Sequence, residues 1–500
     1  MAKGIDRYFI LTRLHFVKFC LVVFLYPAHA QLRVHKAIEV PLLRNESTFN
    51  IVSVNSNGLI LFRQLNQPES TIQFIHVDTA FQQRWAGLLP IEKKYTYSNH
   101  YVNNNFAYFL FHHREFADIS FLVYEIDLAT GNFSRYVVNN YIPFLPTHFK
   151  ATERGLLIGG YFIGKIPVVL FFDFIIAKSK VLPALFNEPG ELLQINTSDD
   201  ESFSILISSR NTQRQKTLWI KNYTPSGELI QNKTLNPTEN QSLLFGQITS
   251  LPDGRQFIAG TYGNRNSDFS KGIFITRLEN DSEVTRYYPF SELQNFFSYL
   301  KAQRATRIKE RINRKTVKGK KIRLQYRFLV NEFIVHKNEF ILLGEAFYPV
   351  YKSMDRGYMG GGLAPGGVVF DGYKYTHAVI IGFDQNGELQ WDNSFEINDV
   401  KSFTLEQFVR IDIQQNKIVL FYLFNNKLRY KVIQNNQLLE QVEYDTTGLS
   451  SQYFNDEEGL ASLDYWYDGH FTASGTKQTS YRRWGKQSRR VFFVTKLSNR

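Results

Sequence analysis

Residues 242–290 read SLLFGQITSLPDGRQFIAGTYGNRNSDFSKGIFITRLENDSEVTRYYPF. Four short runs alternate apolar and polar residues, which is the period of a half-buried β-strand. Asp253-Gly254 separates the first two runs, and glycine at such a point lets the chain reverse in few residues because it tolerates positive φ. A polar loop and a second tight turn complete a unit of about 47 residues, and that unit recurs along most of the chain. Self-similarity at this period, with four strands per unit, marks an all-β radial repeat: a β-propeller of four-stranded antiparallel blades.

Laid against this copy, the first unit comprises residues 49–54, 59–63, 72–77 and 81–89, with Asn57-Gly58 at its first turn. The second is weak at its start, and only its later strands stand out, in FAYFLFHH from Phe106 and FLVYEIDLATGNFSRYVV from Phe121. The third contains LLIGGYFIG and PVVLFFDF, and the fourth FSILISS and KTLWIKNYTPSGELIQNKTL. EFILLGEAFYP and HAVIIGFDQNGELQWDNSF belong to the sixth, and KIVLFYLFNNKLRYKVIQNNQLLEQVEY to the seventh. The eighth, residues 463–497, has three strands, and LRVHKAIEVPL at residues 32–42 supplies the missing fourth, so the two ends pair and close the ring. Eight blades is the expected count. Seven is the alternative, because the opening strand of the second unit is poorly marked.

Residues 1–30 carry Lys3, Arg7, Arg13 and Lys18, then an apolar run from Phe19, then Ala28-His29-Ala30. That is the layout of a secretory signal peptide, with a run too short to span a bilayer. Residues 31–500 are therefore expected to be a single exported propeller, periplasmic or extracellular, with no transmembrane segment. Cys20 is the only cysteine and lies in the leader, so disulfides, thiol nucleophiles and cysteine-based metal sites are excluded from the rest. No cofactor and no metal is expected.

The net charge is +12, of which the leader holds +3, leaving +9. Residues 301–323 alone hold eleven basic residues against Glu310, a net of +10. This stretch belongs to an insertion, residues 294–325, between the fifth and sixth blades. Residues 294–314 are expected as helix, with Phe297, Leu300, Ile308 and Ile312 on one side. A second insertion, residues 348–375, is expected as a glycine-rich loop joining the sixth blade's second and third strands, and long loops on rigid scaffolds often carry function. A third segment, residues 477–490 and basic like the first, joins the same two strands of the eighth blade.

In an antiparallel blade the second-to-third loops and the crossings to the next blade share one face. All three segments, two of them basic, therefore fall on that face, while Asp199, Asp200, Glu201, Asp253, Glu279, Asp281, Glu283, Asp384 and Glu388 fall on the other. A basic face opposite a mildly acidic one favours an anionic partner. The candidate binding residues are Arg304, Arg307, Arg311, Arg314, Lys315, Lys318, Lys320, Lys321 and Arg323 of the helix; Asp371, Tyr373, Tyr375 and His377 of the glycine-rich insertion; and Tyr481, Arg482, Arg483 and Trp484 of the last blade.

Catalytic signatures are absent: there is no nucleophile elbow, no triad spacing and no Asp box. Asp464, Asp468, His470 and the pair His112-His113 show no metal-ligand spacing, and neighbouring histidines on a strand point to opposite sides. The stretch KGKKIRLQYRFLV, EFILLGEAFYP and FDGYKYTHAVIIGFDQNGELQWDNSFEI, between residues 318 and 397, resembles uncharacterised secreted bacterial β-propellers of the Bacteroidetes type. The resemblance implies fold and export, and no activity. The expected role is a monomeric binding scaffold for an anionic polysaccharide, lipopolysaccharide or acidic protein, with no intracellular nucleic acid. The alternative is a glycan hydrolase or lyase centred on the channel.

Overall fold

In the computed structural model the described residues are 32–43, 46–65, 70–114, 120–163, 165–185, 189–238, 240–251, 253–279, 282–320, 324, 326–353, 358–359, 362–363, 368–414, 417–425, 427–434, 436–445, 460–481 and 487–499. They form an eight-bladed β-propeller of four-stranded antiparallel blades. Residues 242–290 lie in blade 5, with strands Gln241–Ser250, Gln256–Asn264, Ser270–Glu279 and Ser282–Pro289. Gly254 turns the first hairpin at φ 84°. Within the blade Gly260 passes so close to its neighbour that an added Cβ would lie 1.9 Å from the Phe245 carbonyl oxygen.

First strands approach one another from blade to blade and so surround the axis. Between blades, apolar faces interlock. Phe109 of blade 2 meets Phe62 and Phe74 of blade 1 at 5.0 and 4.8 Å between ring centroids, Phe257 of blade 5 meets Phe340 of blade 6 at 4.2 Å, and Phe421 of blade 7 meets Phe471 of blade 8 at 4.1 Å. Each such ring contributes about 1.5–3 kcal/mol by burial, which makes these seams the main source of stability.

Closure follows the expected route. Leu32–Leu42 pairs antiparallel with Gln487–Asn499 as the outer strand of blade 8, with Val40 opposite Phe492 and Ile38 opposite Val494. At the seam with blade 1, Trp466 is fully buried, stacks on Phe81 and donates its indole N–H to the Gly58 carbonyl at 2.9 Å. Gly58 turns blade 1's first hairpin at φ 126°.

The seven-bladed alternative is excluded by Tyr95–Val102, the first strand of blade 2. Its sequence, YTYSNHYV, hides the alternation because a β-bulge between Tyr97 and Asn99 shifts the pleat by one residue. The same irregularity occurs in the first strands of blades 3, 4, 5 and 6.

Two elements differ from expectation. Helix α1 spans Ala302–Val317 rather than starting near residue 294. The preceding turns are held by a distant residue: Asp392 accepts the N–H groups of Gln294 at 2.9 Å and Asn295 at 2.6 Å, which fixes this segment against blade 6 before a helix can begin. Phe297 is buried as foreseen, ahead of the helix. The glycine-rich insertion is also less of a loop than its composition suggests. Blade 6's second and third strands, Glu339–Ser353 and Val368–Phe383, stay paired out to Ser353 opposite Val368, so residues 348–353 and 368–375 are the two sides of a projecting hairpin arm. The leader expected at residues 1–30 lies outside the described residues. Among the described residues no helix is long and apolar enough to cross a membrane.

Candidate functional site

Strand order puts three features on one face: the crossing that contains α1, the blade 6 arm, and a blade 8 hairpin formed by His470–Tyr481 and Gln487–Asn499. On α1, Arg304, Arg307, Arg311 and Arg314 are exposed, as are Lys318 and Lys320 beyond its end, and Lys315 is half-buried; Lys321 and Arg323 lie outside the described residues. None of the described cations in this segment forms an ion pair with another described residue, although Lys309 donates to the Gln294 carbonyl at 2.8 Å. Like charges three and four residues apart each cost a helix about 0.2–0.5 kcal/mol. The first turn offers no compensation, since it has no acidic residue and Lys301 provides no side-chain cap. What holds α1 is its underside, where Ala305, Ile308 and Ile312 join the apolar cluster of Phe297 and Phe328.

Beside the C-terminal half of α1, at the edge of blade 5, lies a cleft of about 970 Å³. Phe269, Ile312 and Leu324 supply apolar surface; Asn240, Asn264 and Asn313 supply amides; Arg265, Lys271 and Lys320 supply positive charge, against Glu292 as the one acid among the described lining residues. Such a lining suits a hydroxylated, negatively charged ligand: amides bond hydroxyls, the ring covers an apolar face, and the cations meet carboxylate or phosphate.

The other candidates serve the arm or the core. Asp371 is ion-paired to Lys352 at 3.0 Å and Lys401 at 3.1 Å, and these two cations hold its carboxyl below the usual range. Tyr373 packs edge-on against Phe347 and Phe370. Tyr375 is buried, donates to the Glu406 carbonyl at 2.8 Å and receives the Glu406 N–H at 3.1 Å. His377 is fully buried, stacked on Tyr299 at 3.8 Å with Phe296 and Tyr326 edge-on, and burial pushes its pKa down to about 3. It fastens the approach to α1 onto blade 6 and does not reach the surface. Tyr481 pairs with Gln487 near the end of the blade 8 hairpin, while Arg482, Arg483 and Trp484 lie outside the described residues. Lys477, part of that basic segment, is buried against Glu39. On the opposite face, Asp253, Glu279 and Glu388 pair with Arg255, Arg277 and Arg286, so that face is less acidic than its residues suggest.

Apart from Asp464, sequence reasoning missed the channel wall. His100, His148 and Lys150 lie on the first strands of blades 2 and 3, where burial lowers the pKa of each. Tyr97 and His100 share a 2.7 Å hydrogen bond, and Lys150 sits 4.7 Å from the Tyr101 ring centroid. Amides link neighbouring blades: Gln194 exchanges two bonds with the Ile248 backbone, and Gln247 donates to the Asn331 carbonyl at 3.0 Å. On the first strands of blades 6, 7 and 8 are Glu332, Arg410 and Asp464. Glu332 accepts from Gln407 at 2.8 Å, and burial raises its pKa. Arg410 reaches Asp464 at 3.5 Å. Behind them Glu345, with no exposed surface, accepts the N–H groups of Phe408 at 3.1 Å and Val409 at 2.5 Å, and burial pushes its carboxyl up to about 7. No group of three His, Cys, Asp or Glu among the described residues is placed to hold a metal ion. The signal that could have found this wall is positional, since its members fall on the first strand of successive units.

No family model and no curated protein matches the chain. Among solved structures, the chain is similar to polysaccharide lyase Uly1, at 10% identity and TM-score 0.40 over 93% of this chain and 100% of that one. It is similar to dihydro-heme d1 dehydrogenase NirN at 12% identity and TM-score 0.43, over 93% of this chain and 79% of that one. The β-propeller domain of the Trilobed protease from Pyrococcus furiosus aligns at 10% identity and TM-score 0.38, over 79% of this chain and 98% of that domain.

Proposed function

We propose that this propeller is an exported binding scaffold whose α1 face engages an anionic polymer of the cell envelope, with an acidic glycan as the favoured class and lipopolysaccharide or an acidic protein as the alternatives. One observation carries the reading. A helix with six cations against the single acid Glu310 keeps its arginines exposed, against its own electrostatic interest, beside a cleft lined by amides, an aromatic ring and three more cations. Counter-charge from a ligand relieves that repulsion, and bidentate pairing favours the arginines for carboxylate.

The test compares binding of polygalacturonate and neutral dextran by wild type and by a variant with Arg304, Arg307, Arg311 and Arg314 all changed to Gln. Binding of the acidic polymer is expected to fall steeply from low to high salt and to be largely lost in the variant. Retention at high salt or by the variant refutes the reading.

A channel-centred glycan-cleaving enzyme is the second reading. It is favoured by the carboxylates of Glu332 and Asp464 on either side of Arg410 in the channel wall. Release of reducing ends from acidic polysaccharide, abolished by Glu332→Gln, supports it. Absence of cleavage alongside tight binding leaves the scaffold.

A further inference from the structure

The blade 6 arm is amphipathic in a way that the anionic-polymer reading does not use. Beyond the last buried pair, Phe347 with Tyr375, the two strands continue for six residues, roughly 20 Å at about 3.3 Å per residue. Side chains alternate between its faces. One face carries a continuous chain of rings: Tyr373 touches Phe347 and Phe370, and Phe370 touches Tyr351 and Phe403. The rings become less covered toward the outer end, with Tyr351 57% and Phe403 66% exposed, and aliphatic groups extend the surface, Val368 at 70% and Leu405 at 46%. A projecting apolar surface of this kind is uncommon on a protein with nothing to dock against. Lys374 at the arm's base, Lys352 near its outer end and Lys401 on the strand beside it are exposed, with Asp371 paired to the last two.

We propose that this arm is a membrane-docking element that inserts its aromatic face into the interfacial layer of an anionic bilayer, with the three lysines meeting lipid phosphate. Two properties favour lipid over sugar. Val368 and Leu405 offer neither a hydrogen bond nor a flat ring to a glycan, whereas acyl chains accept them. The three lysines, offset only in part by Asp371, give an apolar arm a net positive charge that matches anionic headgroups, and their long stems allow that charge to stay at headgroup level while the rings go deeper. Helix α1 presents its cations on the same face of the disc, so docking through the arm brings that face to the bilayer.

The experiment uses the full chain and two vesicle types, pure phosphatidylcholine and a mixture of one part phosphatidylglycerol to two parts phosphatidylcholine. Wild type is expected to co-sediment with the mixed vesicles and weakly with the neutral ones. A variant carrying Tyr351→Ser and Phe403→Ser, both at exposed positions, is expected to lose vesicle binding at least tenfold while binding polygalacturonate as wild type does. As a second, independent readout, Tyr351→Trp protein added to vesicles with brominated acyl chains should show quenching of the added fluorescence. Equal vesicle binding by wild type and the serine variant, or an unquenched Trp, overturns the proposal. Loss of polygalacturonate binding in the serine variant without any vesicle binding by wild type assigns the arm to glycan and also overturns it. Because polymer binding is read separately, loss of that function in the α1 variant leaves the vesicle result for the arm standing.

Discussion

Glu345 makes the folded protein sensitive to pH in a direction opposite to that of its surface carboxylates. Its carboxyl has no exposed surface and is pushed up to about 7 by burial, against opposing help from the Val409 and Phe408 N–H groups, the Asn331 amide and Arg410. In the unfolded chain the same group titrates near 4.5. Between these values the unfolded state has released its proton while the folded state retains it, so the contribution of Glu345 is complete below pH 4.5 and is lost as pH rises through 7. At 1.36 kcal/mol per pH unit the loss is roughly 3 kcal/mol. Glu345→Gln removes the titration. Its amide oxygen can take the place of Oε1, which accepts from both Phe408 and Val409, so the two buried N–H groups keep their acceptor. The stability of the variant relative to wild type therefore improves between about pH 4.5 and 7.5. Urea unfolding at several pH values across that range measures the difference. A wild-type-minus-variant curve that is flat, or that rises with pH, refutes the assignment of a protonated, buried carboxyl.

Other positions give three further expected outcomes. His377, held down to about 3 by burial, withholds stability as pH falls from 6.5 toward 3, with a ceiling of roughly 5 kcal/mol; His377→Phe should abolish most of that acid-dependent loss in urea unfolding at about pH 7 and pH 4, and an unchanged loss contradicts it. Trp466→Phe deprives the Gly58 carbonyl of its 2.9 Å donor at the closing seam and should cost about 1–3 kcal/mol in chemical denaturation, with a change below about 0.5 kcal/mol as the contrary result. Gly260→Ala places a Cβ 1.9 Å from a backbone oxygen, so a clear drop in melting temperature is expected, corresponding to about 1–3 kcal/mol or more, and a neutral effect would show that blade 5 can shift to admit it.

What is legible in the chain is local or topological. Asp253-Gly254 and Asn57-Gly58 announce hairpins because their geometry depends on the residues themselves, and Gly254 and Gly58 do take positive φ. The pairing of Leu32–Leu42 with the last strand is legible because counting strands leaves one missing. What escapes depends on partners remote in sequence. The start of α1 is set by Asp392, nearly a hundred residues later. The bulges in the first strands displace side chains by one residue, so alternation fails where the channel wall is built, and Glu332 follows such a bulge. The arm reads as a loop when glycine density is weighed above the Tyr, Val and Phe residues that continue the ladder. Tyr375 and His377 read equally well as ligands or as core, and only their neighbours Glu406 and Tyr299 decide between the two.

The seam between Leu32–Leu42 and Gln487–Asn499 imposes an order of assembly. Seven blades draw their strands from contiguous sequence and can form as the chain emerges, each supported by the one before. The eighth cannot. Its outer strand is made first and must wait, unpaired, for partners made last, so every earlier seam forms on an open arc with two bare flanks. Commitment to the native ring therefore rests on a single contact of very long sequence separation, the slowest kind to find. A chain interrupted anywhere before residue 487 would remain an arc however well its blades were folded.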